Sequence, residues 1–156
     1  MTESQCNAIQ PEEARAFVDR ALGRLKEAGL RITGARKQVV QVLATTRKPL
    51  GAYGIRDRVV EAGGKIDVVS VYRILNALTD IGLAHHIGAV DGYLACTAGH
   101  AHEHETQHLI CKSCGCVEEI DIPRSAMEAI DGAGKSGGFK RIRARVEVLG
   151  TCSHCA

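Results

Sequence analysis

The stretch Val69-Ser70-Val71-Tyr72-Arg73-Ile74-Leu75-Asn76-Ala77-Leu78 decides the fold of the first half of the chain. Val71, Ile74, Leu75 and Leu78 recur at helical spacing and form one apolar stripe. Ser70 is placed to cap this helix and Gly82 to stop it. At about 100° per residue, Arg73 and Asn76 point away from the stripe and Tyr72 flanks it. Arg and Asn suit guanine and adenine edges in a major groove; the plain alternative is a solvated helix face. Three more helices are expected upstream. One runs from Glu12 to Ala28, with Pro11 at its first position. Thr33 caps the second, with Val39, Val42 and Leu43 inward. The third covers Ala52 to Ala62 and is anchored by Ile55 and Val59. Downstream, Leu83–Ile87 and Tyr93–Cys96 read as short strands around Gly88–Gly92. Helices followed by a hairpin are in the order of a winged helix-turn-helix.

The chain has 156 residues, room for one large or two small domains. Hydrophobic residues make up 45% and charged residues 24%, an ordinary globular balance. No apolar run reaches the ~18 residues of a membrane span, and Met1–Cys6 has no leader pattern, so a cytoplasmic protein is expected. Aromatics are only 3%, with no Trp, so the core must be aliphatic and base stacking on single strands is disfavoured. The net charge of +2 hides an uneven split. Residues 31–73 carry nine Lys and Arg against three Asp and Glu, whereas residues 89–156 carry seven against nine. A basic first half suggests nucleic acid as one of two even choices, the other being a chance surface asymmetry.

Seven Cys and seven His are concentrated in the second half. Clustered Cys in a reducing compartment points to metal before disulfides. Cys111-x2-Cys114 paired with Cys152-x2-Cys155 supplies four thiolates, enough for a closed tetrahedral zinc. Between the knuckles, Val117–Ile122 reads as a strand and Pro123–Gly132 as a helix with Ala126, Met127, Ala129 and Ile130 inward. Gly132–Gly138 reads as a loop, and Arg141–Leu149 alternates like a strand. His108–Cys111 adds another strand. A second group of metal-binding residues comprises His85, Cys96, His100, His102, His104, His108, Glu118 and Glu119. Cys116 reads as a spare thiol and Cys6 has no evident role.

The chain resembles the ferric uptake regulator (Fur) family over nearly its full length. The carrying residues are Gly29-Leu30-Arg31-Ile32-Thr33 with Arg36, then Val69 to Leu78, then the two knuckles. Within that family it is most similar to the zinc uptake regulator (Zur) branch. The resemblance implies a structural zinc on Cys111, Cys114, Cys152 and Cys155. It implies a regulatory zinc on His85, Cys96, His104 and Glu119. A third site on His100, His102 and His108 is an open possibility. DNA contact is implied for Tyr53 and Arg73, with Tyr72, Asn76 and Arg36 as further candidates. A mixed N, S and O donor set suits zinc, while iron and manganese prefer N and O. The compact His-His-Asp-His run of the iron branch is absent, since Glu105-Thr106-Gln107-His108 stands there.

The expected architecture is α+β. A winged-helix DNA-binding domain spans 1–88, a hinge 89–92, and a small α/β dimerisation and metal-binding domain 93–156. The expected function is a homodimeric, zinc-responsive repressor without enzymatic activity. It would bind palindromic AT-rich operators of zinc-uptake genes when zinc is present. A relative responding to iron, manganese or peroxide is the alternative; a zinc carrier or zinc enzyme is more distant. A deaminase would need His-x-Glu, and no His here has Glu two residues on.

Overall fold

The computed structural model describes residues 9–97, 107–140 and 142–156. Four helices come first: α1 (Pro11–Glu27), α2 (Gly34–Leu43), α3 (Ala52–Glu61) and α4 (Val68–Asp80). A hairpin of β1 (Ala84–Ile87) and β2 (Gly92–Ala95) follows, so the first half is a winged helix-turn-helix. The second unit contains β3 (Gln107–Cys111), β4 (Val117–Ile120), α5 (Arg124–Ser136) and β5 (Glu147–Gly150). Its sheet has the order β4-β3-β5, with β3 antiparallel to β4 and parallel to β5. Among the described residues no helix is long and apolar enough to cross a membrane.

The helical stripes meet as their spacing predicts. Phe17, Ala21 and Leu25 of α1 pack with Val39, Val40 and Leu43 of α2, Ile55 and Val59 of α3, and Val71, Leu75 and Leu78 of α4. Thr33 caps α2, its side chain accepting from the Arg36 N–H. In α4 the cap differs from expectation. Asp67 is the N-cap, and Ser70 lies three residues further on. The Asp67 carboxylate accepts from Ser70 N at 2.9 Å and from Ser70 Oγ at 2.7 Å. Both residue types cap well, and the one whose oxygens reach both donors takes the position.

The hairpin is held at its base. Arg20 Nη2 donates to the Cys96 carbonyl at 2.5 Å, and Arg24 Nη2 to the Ile81 carbonyl at 2.7 Å. Thus α1 grips the chain just before β1 and just after β2. Leu50 adds a bridge to Tyr93, tying the α2–α3 turn to the wing. Residues 89–92, expected as a hinge between units, lie in and just after the hairpin turn: Gly88–Val90 is one 3-10 turn, and Gly92 already pairs with Ile87. Tyr93, Leu94 and Ala95 therefore pair with the wing strand rather than with the second sheet. A four-residue apolar cluster, Ile87, Leu94, Ile110 and Val117, joins the hairpin to that sheet.

The second unit departs from expectation in three ways. The helix α5 continues to Ser136, through the stretch expected as a loop. Glycines weaken a helix without forbidding it, and Gly134 makes room: a Cβ there would sit 2.7 Å from Ile142 Cδ1. The ion pairs Arg124–Glu128 and Asp131–Lys135 add i,i+4 support. Second, α5 buries none of its residues in the single chain, so Ala126, Met127, Ala129 and Ile130 do not face a core; Ile130 is 41% exposed. Third, among the described residues of the expected strand, 147–149 join the ladder, which Gly150 extends. Residues 142–146 keep the alternation, with Ile142, Ala144 and Val146 half-buried and Arg143 and Arg145 exposed.

A methyl group placed on Gly132 would meet nothing within 4 Å, so Gly132→Ala is expected to stabilise the fold by about 0.5–1 kcal/mol. Urea unfolding of the two proteins at equal concentration measures it. A destabilised variant would show that α5 is packed against something its exposure does not reveal.

Candidate metal centres and nucleic-acid face

The first knuckle is a turn at the end of β3. Gly115 N–H returns to the Cys111 carbonyl at 2.9 Å, and Cys111 N–H to the Cys116 carbonyl at 3.0 Å. The second knuckle turns likewise, with Cys155 N–H on the Cys152 carbonyl at 2.9 Å. Parallel pairing of β5 with β3 brings the two together, and Lys112 N–H reaches the Gly150 carbonyl at 2.8 Å. The four sulfurs of Cys111, Cys114, Cys152 and Cys155 lie within 4.8 Å of one another. Cys114 and Cys152 Sγ are 3.8 Å apart. A tetrahedron with Zn–S of about 2.3 Å has edges of about 3.8 Å, so these residues fit that ion. No disulfide joins the described cysteines.

The backbone prepares this cluster for a cation. N–H groups of Cys114 and then Cys152 point at the Cys111 sulfur and pull its pKa down to about 5. The Cys116 N–H lowers Cys114 in the same way. Cys155 is pushed up, first by sharing a hydrogen bond with the Cys152 thiol. Cys111 and Cys114 are thus shifted toward the thiolate and Cys155 toward the thiol. Cys116 is buried beside Cys111 and Cys114 but lies outside the four-sulfur group.

A second constellation sits where the hairpin meets the sheet. His85 of β1, His108 of β3 and Glu119 of β4 each place one ligand atom within 4.8 Å of the others. His85 Nε2 is 3.5 Å from Glu119 Oε1, and the two imidazole centroids are 5.1 Å apart. Nε2 of His85 and Nε2 of His108 are buried with no partner in good hydrogen-bond geometry. Buried imidazole nitrogens left unsatisfied beside a carboxylate are what a cation would complete. Burial opposes a charge on His85, but the nearby Cys96 thiol and then the Glu119 carboxylate favour it more strongly and raise its pKa to about 9. His108 is lowered by burial and by the nearby His85 charge. Glu119 is lowered because contact with His85 outweighs its burial.

Of the expected regulatory ligands, His85 and Glu119 converge here; Cys96 is buried next to His85 but its sulfur lies outside the group of converging ligand atoms. His104 lies outside the described residues, as do His100, His102 and Cys6. His108, which the sequence groups with the candidate ligands in general and with His100 and His102 in particular, stands with His85 and Glu119. The signal for it is strand register. The turn through the first knuckle pairs Ile110 with Val117 and therefore His108 with Glu119. Glu118 pairs with Leu109 and is exposed, and His86 turns to Asp91 at 2.9 Å. Neighbouring strand residues thus point to opposite faces.

On the helical unit, Tyr72, Arg73 and Asn76 are exposed on α4, opposite its buried stripe. Tyr53 projects from α3 with 59% of its surface exposed, and the Arg56 guanidinium lies 5.4 Å from its ring centroid. Arg36 is placed differently. Its Nη1 donates to the Arg31 carbonyl at 2.6 Å and its Nε is buried, so it braces the start of α2.

The model of the ferric uptake regulator family matches residues 27–149. The zinc uptake regulation protein of Mycobacterium tuberculosis is 30% identical over 134 residues, covering 84% of this chain and 98% of that protein. The ferric uptake regulation protein of Shigella flexneri is 33% identical over 137 residues, covering 85% and 86%. The crystal structure of holo XcZur superposes with a TM-score of 0.75 at 31% identity, covering 90% of this chain and 96% of the other. A zinc uptake regulator complexed with zinc and DNA shares the fold at TM-score 0.81, with 22% identity and coverage of 91% and 94%.

Cys114→Ser is expected to lose one metal equivalent per chain and to destabilise the second sheet by several kcal/mol, a part of the roughly 10–16 kcal/mol that a structural zinc can contribute. Elemental analysis and urea unfolding read the two effects. Full metal content with unchanged stability would separate the cysteine cluster from folding. The family match, the winged helix-turn-helix and the four-cysteine cluster agree: the chain belongs to the ferric uptake regulator family.

Proposed function

We propose that the protein is a zinc-responsive transcriptional repressor that binds double-stranded operator DNA as a homodimer. One observation carries the proposal. His85 comes from the wing, His108 and Glu119 from the sheet, and their ligand atoms converge at the junction of the two units. Side chains that share one cation across that junction fix the angle of the winged helix. In a two-fold dimer that angle sets the separation of the two α4 helices, and an operator demands a fixed half-site spacing. Coupling of about 1–3 kcal/mol is enough to shift DNA affinity roughly 5–150-fold.

The donor set is drawn from His85, His108 and Glu119, with Cys96 beside them and His104 as the remaining ligand expected from the sequence; when bound, zinc would supply the positive charge that holds these groups together. The soft sulfur favours zinc over iron or manganese. The four-cysteine cluster is proposed as the structural zinc site, and Tyr72, Arg73, Asn76 and Tyr53 as the DNA face. Arg36 remains a further candidate: one Nη1 hydrogen goes to the Arg31 carbonyl, which leaves other guanidinium N–H groups for a phosphate.

A second copy of the chain accounts for the unburied apolar surface. The helix α5 buries nothing, Leu109 and Val148 are in register on the exposed sheet face, and β5 is an edge strand. Edges and apolar faces of this kind are normally covered.

A response to iron or manganese is the second reading, and one observation favours it. The three converging atoms are two nitrogens and one oxygen, and ferric uptake regulation proteins match the chain at similar identity. A gel shift against promoter fragments, with chelator, buffered zinc, ferrous iron or manganese, separates the two. Retention with zinc alone is expected. Retention with iron alone would overturn the zinc reading and keep the regulator.

Two variants refine the test. Cys96→Ser is expected to fold and dimerise yet to lose zinc-dependent retention; an unchanged zinc response would remove Cys96 from the site. Arg73→Ala is expected to weaken operator binding by about 1–3 kcal/mol without altering metal content. Unchanged affinity would take Arg73 out of the interface.

A further inference from the structure

The segment entering β5 touches the wing at a place no metal ligand occupies. Glu147 accepts from two successive amides of the hairpin turn: Gly88 N–H to Oε1 at 2.8 Å and Ala89 N–H to Oε2 at 2.8 Å. Two residues earlier, Arg145 Nη1 donates to the His86 carbonyl at 3.5 Å, a longer contact from the same segment. The main chain behind these side chains is fixed to β3. Val146 N–H donates to Gln107 Oε1 at 2.5 Å, His108 N–H reaches the Val146 carbonyl at 3.2 Å, and Glu147 stands opposite His108 in the ladder.

We propose that Glu147 is a positioning residue: its carboxylate clamps the wing turn to the second sheet and so sets the orientation of the winged helix for DNA. This rests on the regulatory reading above. Two oxygens matched to two adjacent N–H groups make a directional, charge-assisted contact. A wing attached only through His85 would pivot about that point. Gly88 lies three residues along the strand, about 10 Å away at strand rise, so attachment at both points fixes a direction. The clamp consists entirely of protein groups, so it contributes to orientation whether or not the metal ligands are engaged.

The test compares the full-length dimer with Glu147→Ala and Glu147→Gln. Amide exchange at Gly88 and Ala89 is measured together with operator affinity, metal content and oligomeric state. In E147A both amides are expected to exchange about tenfold faster or more, as local opening becomes easier. Operator affinity at saturating zinc is expected to fall about tenfold or more, the scale of losing a charged hydrogen bond, with metal content and dimer unchanged. E147Q keeps one acceptor oxygen and is expected to fall between wild type and E147A; it also serves if E147A does not assemble. Unchanged exchange at both amides overturns the clamp. Faster exchange with wild-type operator affinity overturns its role in DNA binding. A wild-type protein that retains no promoter fragment with any metal overturns the regulatory reading and the DNA part of this one, while the exchange rates still decide whether Glu147 holds the turn.

Discussion

The pairing of β3 with both of its neighbours is the constraint on which the second unit depends. Antiparallel pairing with β4 sets His108 opposite Glu119. Parallel pairing with β5 sets Cys111 opposite Gly150, so that Cys152 arrives beside the first knuckle, and sets Glu147 opposite His108. A parallel pair needs a long crossover, and α5 with the segment after it provides one. A one-residue slip of β3 would turn His108 to the outer face and separate the cysteine pairs. Both metal constellations and the contact with the wing therefore stand on one strand register.

That register is not secured by a large core. The helical unit has its own extensive apolar interior, whereas among the described residues the buried apolar cluster between sheet and hairpin is Ile87, Leu94, Ile110 and Val117, next to a packed group of thiols. A unit this thin needs support from outside its own hydrophobic burial. The N–H groups directed at Cys111 and Cys114 show where part of it enters: the backbone has already met some of the cost of holding thiolates. The bare face of α5 shows where a second chain would supply the rest.

The parts of this protein legible in its sequence are those governed by local spacing. The apolar stripes of α1 to α4 follow directly from periodicity, and the two Cys-x2-Cys knuckles leave little freedom about which sulfurs meet. Ser70 reads as the cap of α4 in place of Asp67 because two good caps lie within one turn and only geometry chooses between them. The length of α5 is hidden because Gly132 and Gly134 argue against a helix locally, while Ile142 packing at Gly134 is a tertiary contact. Likewise His108 is legible as a strand residue and as one of several candidate metal ligands, but not as the partner of Glu119. Its partnership with Glu119 follows from counting back through the knuckle turn, a step that requires knowing the two strands pair directly. Arg36 carries a charge that suits DNA, and nothing in its neighbours' identity tells that the Arg31 carbonyl takes one of its N–H groups.

The grip of α1 on the hairpin completes the mechanical picture. Arg20 and Arg24 hold the chain at Cys96 and Ile81, where the hairpin ends and begins, and the sheet meets the hairpin further along, at its turn. A two-stranded ribbon pinned at one end flexes and absorbs a displacement; pinned at both, it behaves as a strut and passes the displacement on.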